Sequence, residues 1–476
     1  MAAQSIQETP QQATQETTQE ATQALAQFAA KLDYDALPKS AREHCKKLLL
    51  DALACAVAGH QGEETGQMAG LASALAESSE SSVIGGGHLS LAGATLLNGY
   101  LVTAVTMCDA HRATMTHITP EVVPPALAIA ERDGLSGRDL LVALAAGSEV
   151  ATRIGLGLDY PAFRARGFHG PGVLGPFGAA AAVGRLLKFD ADTMARAFGL
   201  AGSQAAGTFA AWGTPTVKFH QCRGALSGLM AALLAQQNFL ATRQFLTAKD
   251  GGLYSAYANG GKPELATGEL GRRFELEQIA LRLWPSASLL QGLNTALFEI
   301  VEKHAIDPAR VRKVDIALSP PTFDFHGGFG RYQAKFEALL SAHYGAAAIL
   351  HDRALTLAQF TPGRYDDPKL RRFAAEKVEV HADAGIAGSQ AQVDVTMDDG
   401  TRFSARCKHP LGSPENPLSR GQVEHKFRTY ADGVIADAHI DDVIAAVDRL
   451  EDFGSVRALM ALLRGAPPAR AMAAAE

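Results

Sequence analysis

Only five cysteines occur in 476 residues, Cys45, Cys55, Cys108, Cys222 and Cys407, and no two share a C-x-x-C spacing. Their odd number and wide spread argue against a disulfide framework or a common zinc pattern, and fit free thiols in a reducing compartment. Positive charge is not in excess either: 44 Lys+Arg stand against 50 Asp+Glu, a formal net charge of −6. Without a basic run or a basic helix face there is no electrostatic footprint for nucleic acid. The N-terminus has no apolar signal-peptide core. Residues 1–24, rich in Gln, Thr, Glu and Ala, read as a solvated, disordered arm, and a cytoplasmic location is expected. One uncharged stretch, Leu89–Cys108, nears the length of a membrane span. Ser90, Gly93, Thr95, Asn98, Gly99, Thr103 and Thr106 make it too polar, so it reads as a helix buried on all sides and no membrane partner is expected. Nucleophile elbow, P-loop and H-E-x-x-H signatures are absent, which leaves general acid/base chemistry by side chains alone, with no cofactor.

What is present is length and small-residue helices. A single core stops growing at roughly 250–300 residues, so two structural domains are expected. Apolar periodicity predicts helices over Ala41–Ala58, Leu89–Met107, Val122–Arg132, Asp139–Ile154, Gly178–Leu187, Ala191–Gly202 and Gly224–Gln237. Ser40 with Glu43, and Ser136 with Asp139, read as capping boxes. The Ala and Gly on these helices imply close helix–helix approach. After about Gly268 the pattern changes. Val311–Ser319, Lys377–Ala382, Gln392–Met397 and Thr401–Cys407 alternate like strands, Asp398-Asp399-Gly400 marks a hairpin, and Lys335–His351 reads as a helix. Helices return over Arg420–Arg464. The fold class expected is mainly α with a smaller α+β domain. An all-helical unit over 25–267, completed by 420–465, would flank an α+β lid over 268–419, and 466–476 would be a frayed tail.

Three segments could carry chemistry. Cys108 to His117 is an ionisable island behind the uncharged helix. Asp109, His111 and His117 could ligate a metal there, but their spacing matches no common metal pattern. Gly170 to Gly175 satisfies G-x-G-x-x-G, yet no strand precedes it and none follows the next helix, so a dinucleotide site is disfavoured. What remains is His169 on a glycine-rich turn at a helix start, with Arg164 and Arg166 upstream. Third, Lys218 stands in an otherwise uncharged stretch, either reaching solvent or desolvated with a lowered pKa.

As a set these segments resemble the MmgE/PrpD family: Phe28–Gly59, Asn98-Gly99, His117 before Val122–Arg132, Gly167-Phe168-His169, Lys218-Phe219-His220, Ala334–Thr361, and Gly412 to Leu418 with Lys426-Phe427. That family includes 2-methylcitrate dehydratase, cis-aconitate decarboxylase and iminodisuccinate epimerase. The resemblance implies a homodimer and a metal-free site between the two domains that takes small polycarboxylates. It assigns catalytic roles to His169, Lys218, His117 and Tyr344, and places Asp109, His111, Arg166, His220 and Arg282 among the substrate-binding candidates. This chain departs from the family's pattern at the end of the central helix, where Thr103, Thr106, Cys108 and Ala110 replace a His, two Asp and a Thr. Arg282 stands where the family has a Lys, and Gln291 where it has a His. Three functions compete on this sequence: a lyase, an epimerase moving one α-proton, and a non-catalytic binding protein.

Overall fold

The computed structural model describes residues 10–328 and 332–465. Two hydrophobic cores organise it. The larger is built from helices between Leu25 and Leu281 together with Leu418–Leu463, and the smaller from residues between Trp284 and Cys407. At the centre of the larger core, helix Gly170–Leu186 packs against helices Gly137–Gly157 and Thr216–Gln236. Small residues permit this approach. A Cβ on Gly228 would lie 2.3 Å from the Ala179 Cβ, and one on Gly147 would lie 2.7 Å from the Gly178 carbonyl oxygen. Helix Leu91–Thr103 is buried from Gly93 onward, as the uncharged stretch requires. Helix Gly137–Gly157 is long and apolar enough to cross a membrane, yet it is buried within the protein almost throughout.

In the smaller core four strands form one sheet. With β1 as Val311–Leu318, β2 as Val378–Ala382, β3 as Ala391–Met397 and β4 as Arg402–Cys407, the order is β2-β1-β3-β4. Strand β1 pairs parallel with β2 and antiparallel with β3. The Asp398-Asp399-Gly400 turn joins β3 to β4, with Gly400 at φ +88°. Alternation along β3 buries Val393, Val395 and Met397 under helix Gln291–Lys303. The mainly α fold with a smaller α+β part is as expected.

Several local expectations change. The arm expected over 1–24 lies outside the described residues for 1–9, but Pro10–Lys31 is a helix. Ala21, Leu25 and Ala29 recur every four residues and are all buried, against helices Ala191–Gly202 and Pro263–Thr267. An alanine stripe buries little area per residue, so composition alone hid it. The tail expected over 466–476 lies outside the described residues. Ser40 does not cap its helix: Pro38, with φ −57°, precedes a helix that already starts at Lys39. Glu43 instead holds Lys46 at 3.2 Å. The Ser136–Asp139 capping box is present with both reciprocal bonds. The helix expected over Lys335–His351 breaks at Ser341, whose backbone is extended and whose hydroxyl caps the next helix at Tyr344 N.

Candidate active site

Between the two cores lies a cavity of about 200 Å³. Thr103 lines it from the end of helix Leu91–Thr103, and Thr106, Arg112 and His117 from the segment that follows. His169 comes from the N-cap of helix Gly170–Leu186, Lys218 and Gln221 from the first turns of helix Thr216–Gln236, and Arg282 from the crossing between cores. The smaller core adds Phe325, His326, Phe336 and Ser389. Among the described residues four His, two Arg and one Lys line this cavity, and no Asp or Glu does.

Local structure explains each placement. The glycines of the false nucleotide motif lie inside a helix and serve packing. A Cβ on Gly172 would fall 2.2 Å from the Ala206 carbonyl oxygen, and one on Gly175 2.5 Å from Glu121 Cγ. That closeness brings the chain around Gly207 over His169, whose backbone N–H donates to the Gly207 carbonyl at 3.0 Å. The His169 ring lies Nδ1 to Nδ1 against His220 at 3.0 Å, so one ring donates and the other accepts. Burial, with His220, His117 and Arg164 nearby, pushes the His169 pKa down to about 3. It is therefore neutral at pH 7.

His117 has a fixed tautomer. Its Nδ1 donates to the Asp109 carbonyl at 2.6 Å, which leaves Nε2 with the lone pair. Burial and then Arg282 lower its pKa to about 4. His326 is set in the same way, with Nδ1 donating to the Leu340 carbonyl at 2.9 Å and burial holding its pKa near 4. Lys218 ion-pairs with Glu64 at 3.1 Å, and Glu64 also accepts from Tyr100. Burial lowers the Lys218 pKa against the raising effect of Glu64. The Arg282 guanidinium donates to the carbonyls of Cys108 and Ser286, fixing a cation at the cavity wall. Arg112 lines the cavity, and its guanidinium makes no hydrogen bond among the described residues.

The structure thus brings together His169, Lys218, His117 and Arg282. The other expected residues stand elsewhere or do other work. Tyr344 is outside the cavity: its hydroxyl donates to the Gln359 carbonyl, and its ring packs on Tyr332 and Phe360 in the smaller core. Asp109 is fully buried and accepts from the backbone of Ile118 and Thr119 at 2.9 Å each, holding the start of helix Thr119–Asp133. His111 borders the cavity, but both ring nitrogens are engaged, by Thr114 at 2.8 Å and Glu275 at 3.2 Å. Asp109, His111 and His117 therefore do not converge as metal ligands, and no group of three such side chains does so among the described residues. Arg166 bonds exposed Asn259 at 2.9 Å, away from the cavity. His220 stands behind His169 as its partner. Gln291 holds the Trp284–Ala287 turn, with Nε2 2.9 Å from Ser286 Oγ.

Sequence reasoning missed Glu64, Phe209, Trp212, Gln221, Phe325, His326 and Phe336. For Gln221 a signal existed, since it follows Lys218 by three residues and shares its helix face. The others reach the site from distant segments.

Glu64→Gln removes the nearby negative charge, so the Lys218 pKa falls further and its ammonium is lost at lower pH. The alkaline limb of kcat/KM is expected to move down in this variant; a pH–rate profile checks it. A limb left in place would mean that Lys218 is not the titrating cation.

Comparison with known proteins agrees with the architecture. Residues 23–266 match the MmgE/PrpD N-terminal domain and residues 284–452 the MmgE/PrpD C-terminal domain. The chain is 28% identical over 470 residues to the cis-aconitate decarboxylase-like protein oryM of Aspergillus oryzae, covering 93% of this chain and 96% of that one. It is 26% identical to a cis-aconitate decarboxylase of Aspergillus terreus, covering 90% and 93%. The human cis-aconitate decarboxylase is 27% identical, covering 79% and 80%. The chain belongs to the MmgE/PrpD family.

Proposed function

We propose that this protein is a lyase that acts on a small di- or tricarboxylate by side-chain acid/base chemistry. The observation that carries the reading is the cavity lining, which among the described residues is rich in cationic and imidazole groups and has no carboxylate. Such a site accepts anions; Glu64, paired with Lys218 at 3.1 Å, lies outside the lining. Lys218, Arg282 and Arg112 hold the carboxylates and stabilise the enediolate that forms when charge develops beside one of them. Neutral His169 exchanges a proton at the adjacent carbon through Nε2, while its Nδ1–H donates to His220. His220 steadies the imidazolium as a positioning residue. The relatives named as cis-aconitate decarboxylases support a carboxy-lyase. In decarboxylation the C–C bond to the departing CO₂ breaks and its electron pair forms an enediolate on a neighbouring carboxylate; a solvent proton taken up at His169 Nε2 then passes to carbon, which returns the ring to its neutral form.

That route needs no acid for a leaving hydroxyl, which matters because Thr106 and Cys108 stand where the family has Asp. Burial raises the Cys108 thiol to about 11, so it does not replace an acidic carboxyl. Dehydration is accordingly the less favoured lyase reaction. The same lack favours, as a second reading, an epimerase with His169 and His117 or His326 as two bases on one α-carbon. Incubation with cis-aconitate, citrate and 2-methylcitrate, followed by CO₂ release and alkene absorbance, tests the lyase. Silence on all three would overturn these activities, and α-deuterium wash-in to a dicarboxylate without net product would then identify the epimerase.

The pH dependence follows from the His169 environment. Its pKa is held near 3, so the basic form persists as pH falls from 8 to 5. The kcat/KM contribution of His169 is expected to stay flat over that range. An acid limb near pH 6.5 that disappears in His169→Gln would contradict this.

A further inference from the structure

We propose that the substrate carries, besides its carboxylates, an apolar alkyl or aryl arm that lies on an aromatic wall made by Phe209, Trp212, Phe325 and Phe336. The inference rests on the carboxylate reading above and adds a substrate class to it. Phe209 and Trp212 stack with centroids 5.1 Å apart at 16°. Phe325, from the smaller core, packs on both, at 5.8 Å from Phe209 and 5.5 Å from Trp212. The wall begins at the reacting residues: the His169 ring meets Phe209 edge-on at 5.8 Å, and Lys218 Nζ sits 5.5 Å from the Phe336 ring centre. All four rings line the cavity and all four are only partly buried. Leu289 and Leu340 border the same space.

Phe209 is already covered, by Trp212 and by the Arg164 guanidinium 3.6 Å from its ring centre, so a substrate consisting only of carboxylates and a short backbone leaves Trp212, Phe325 and Phe336 lining the cavity without a bound apolar partner. Aromatic faces carry negative potential and repel carboxylate oxygens, so the charged groups are confined to the Lys218, Arg282 and Arg112 region. Rings contributed by two cores and left open to a cavity between them suit an apolar group bound alongside the carboxylates. Trp212 is the residue at which this arm is read, because its ring contacts Phe209, Phe325 and His326 together.

The test uses the full chain and its intrinsic fluorescence. There are two tryptophans, and the other, Trp284, is stacked on Phe298 at 4.9 Å within the smaller core. Succinate, then methyl-, butyl-, hexyl- and benzylsuccinate, are titrated while tryptophan emission is followed. Affinity is expected to rise by up to about fourfold per added methylene over the first few carbons. The quench disappears in Trp212→Phe, and the gain shrinks in Trp212→Ala. Phe325→Leu, read by the same titration, gives the same answer should Trp212→Ala fail to fold. Equal affinity for succinate and all its substituted forms overturns the arm and leaves the carboxylate reading standing. Failure of every succinate, and of citrate and cis-aconitate, to bind overturns both.

Discussion

His169→Gln lowers kcat by about 10²–10⁴-fold, the range expected when a positioned acid/base group is removed. Glutamine is close in size and can still bond His220, so the turn before helix Gly170–Leu186 persists. What it lacks is a nitrogen able to take and return a proton. KM is expected to move little, because the carboxylates are held by Lys218, Arg282 and Arg112. Steady-state kinetics on whichever polycarboxylate is turned over separate the two effects. Tyr344→Phe is the informative contrast. Its hydroxyl serves the Gln359 carbonyl in the smaller core, so the change should cost about 1 kcal/mol of stability and leave kcat near the wild-type value. A loss of kcat in Tyr344→Phe as large as that in His169→Gln would mean that the cavity rearranges to admit Tyr344.

Lys426→Met destabilises the protein by about 3–5 kcal/mol, the usual cost of leaving one member of a buried ion pair alone. Lys426 and Asp51 pair at 2.6 Å with side chains 1% and 0% exposed. Nζ donates as well to the Arg282 carbonyl at 2.8 Å and the Met107 carbonyl at 3.1 Å, so all three of its protons are used. Removing them takes the cation from the Asp51 carboxylate and a donor from the Arg282 carbonyl, and leaves Asp51 and the Met107 carbonyl only the weak Cys55 thiol. The double variant Asp51→Leu with Lys426→Met should recover much of the loss, since replacing both members of a buried pair by apolar groups is often near neutral. Urea unfolding checks the order: single variant least stable, double variant intermediate, wild type most stable. Lys426 also ties helix Arg420–Ala431 to the backbone at Met107 and Arg282, both next to the cavity. KM should therefore rise in the single variant even where it remains folded. A Lys426→Met protein as stable as wild type would show that the pair is not desolvated.

Local signals in the sequence translated well where one segment determines its own structure. Ser136 with Asp139 caps as written, Ala191–Gly202 is a helix with those ends, and the turn after Met397 closes a hairpin. His169, Lys218 and His117 do share a cavity with Arg282. Legibility ended where a role depends on which partner arrives from elsewhere. His111 looked as available as His117, but Glu275, 164 residues away, occupies its second nitrogen. Asp109 has the chemistry of a ligand, but its carboxylate caps the start of helix Thr119–Asp133. Tyr344 faces its own core rather than the cavity. Trp212 and His326 carry no local mark of a site, since each acquires its place only when the two cores meet. The helix at Pro10–Lys31 escaped for a related reason, because a polar, alanine-striped segment becomes ordered by what it packs against.

The most direct test of the account is proton movement at carbon. The full chain is incubated in D₂O with cis-aconitate, and separately with 2-methylcitrate, and followed by NMR beside the His169→Gln variant. Deuterium is predicted at the carbon adjacent to a carboxylate of the product or recovered substrate, with its rate of entry falling by about 10²-fold or more in the variant. Turnover without deuterium entry, or equal entry in both proteins, would contradict the assignment of this cavity to acid/base chemistry by His169.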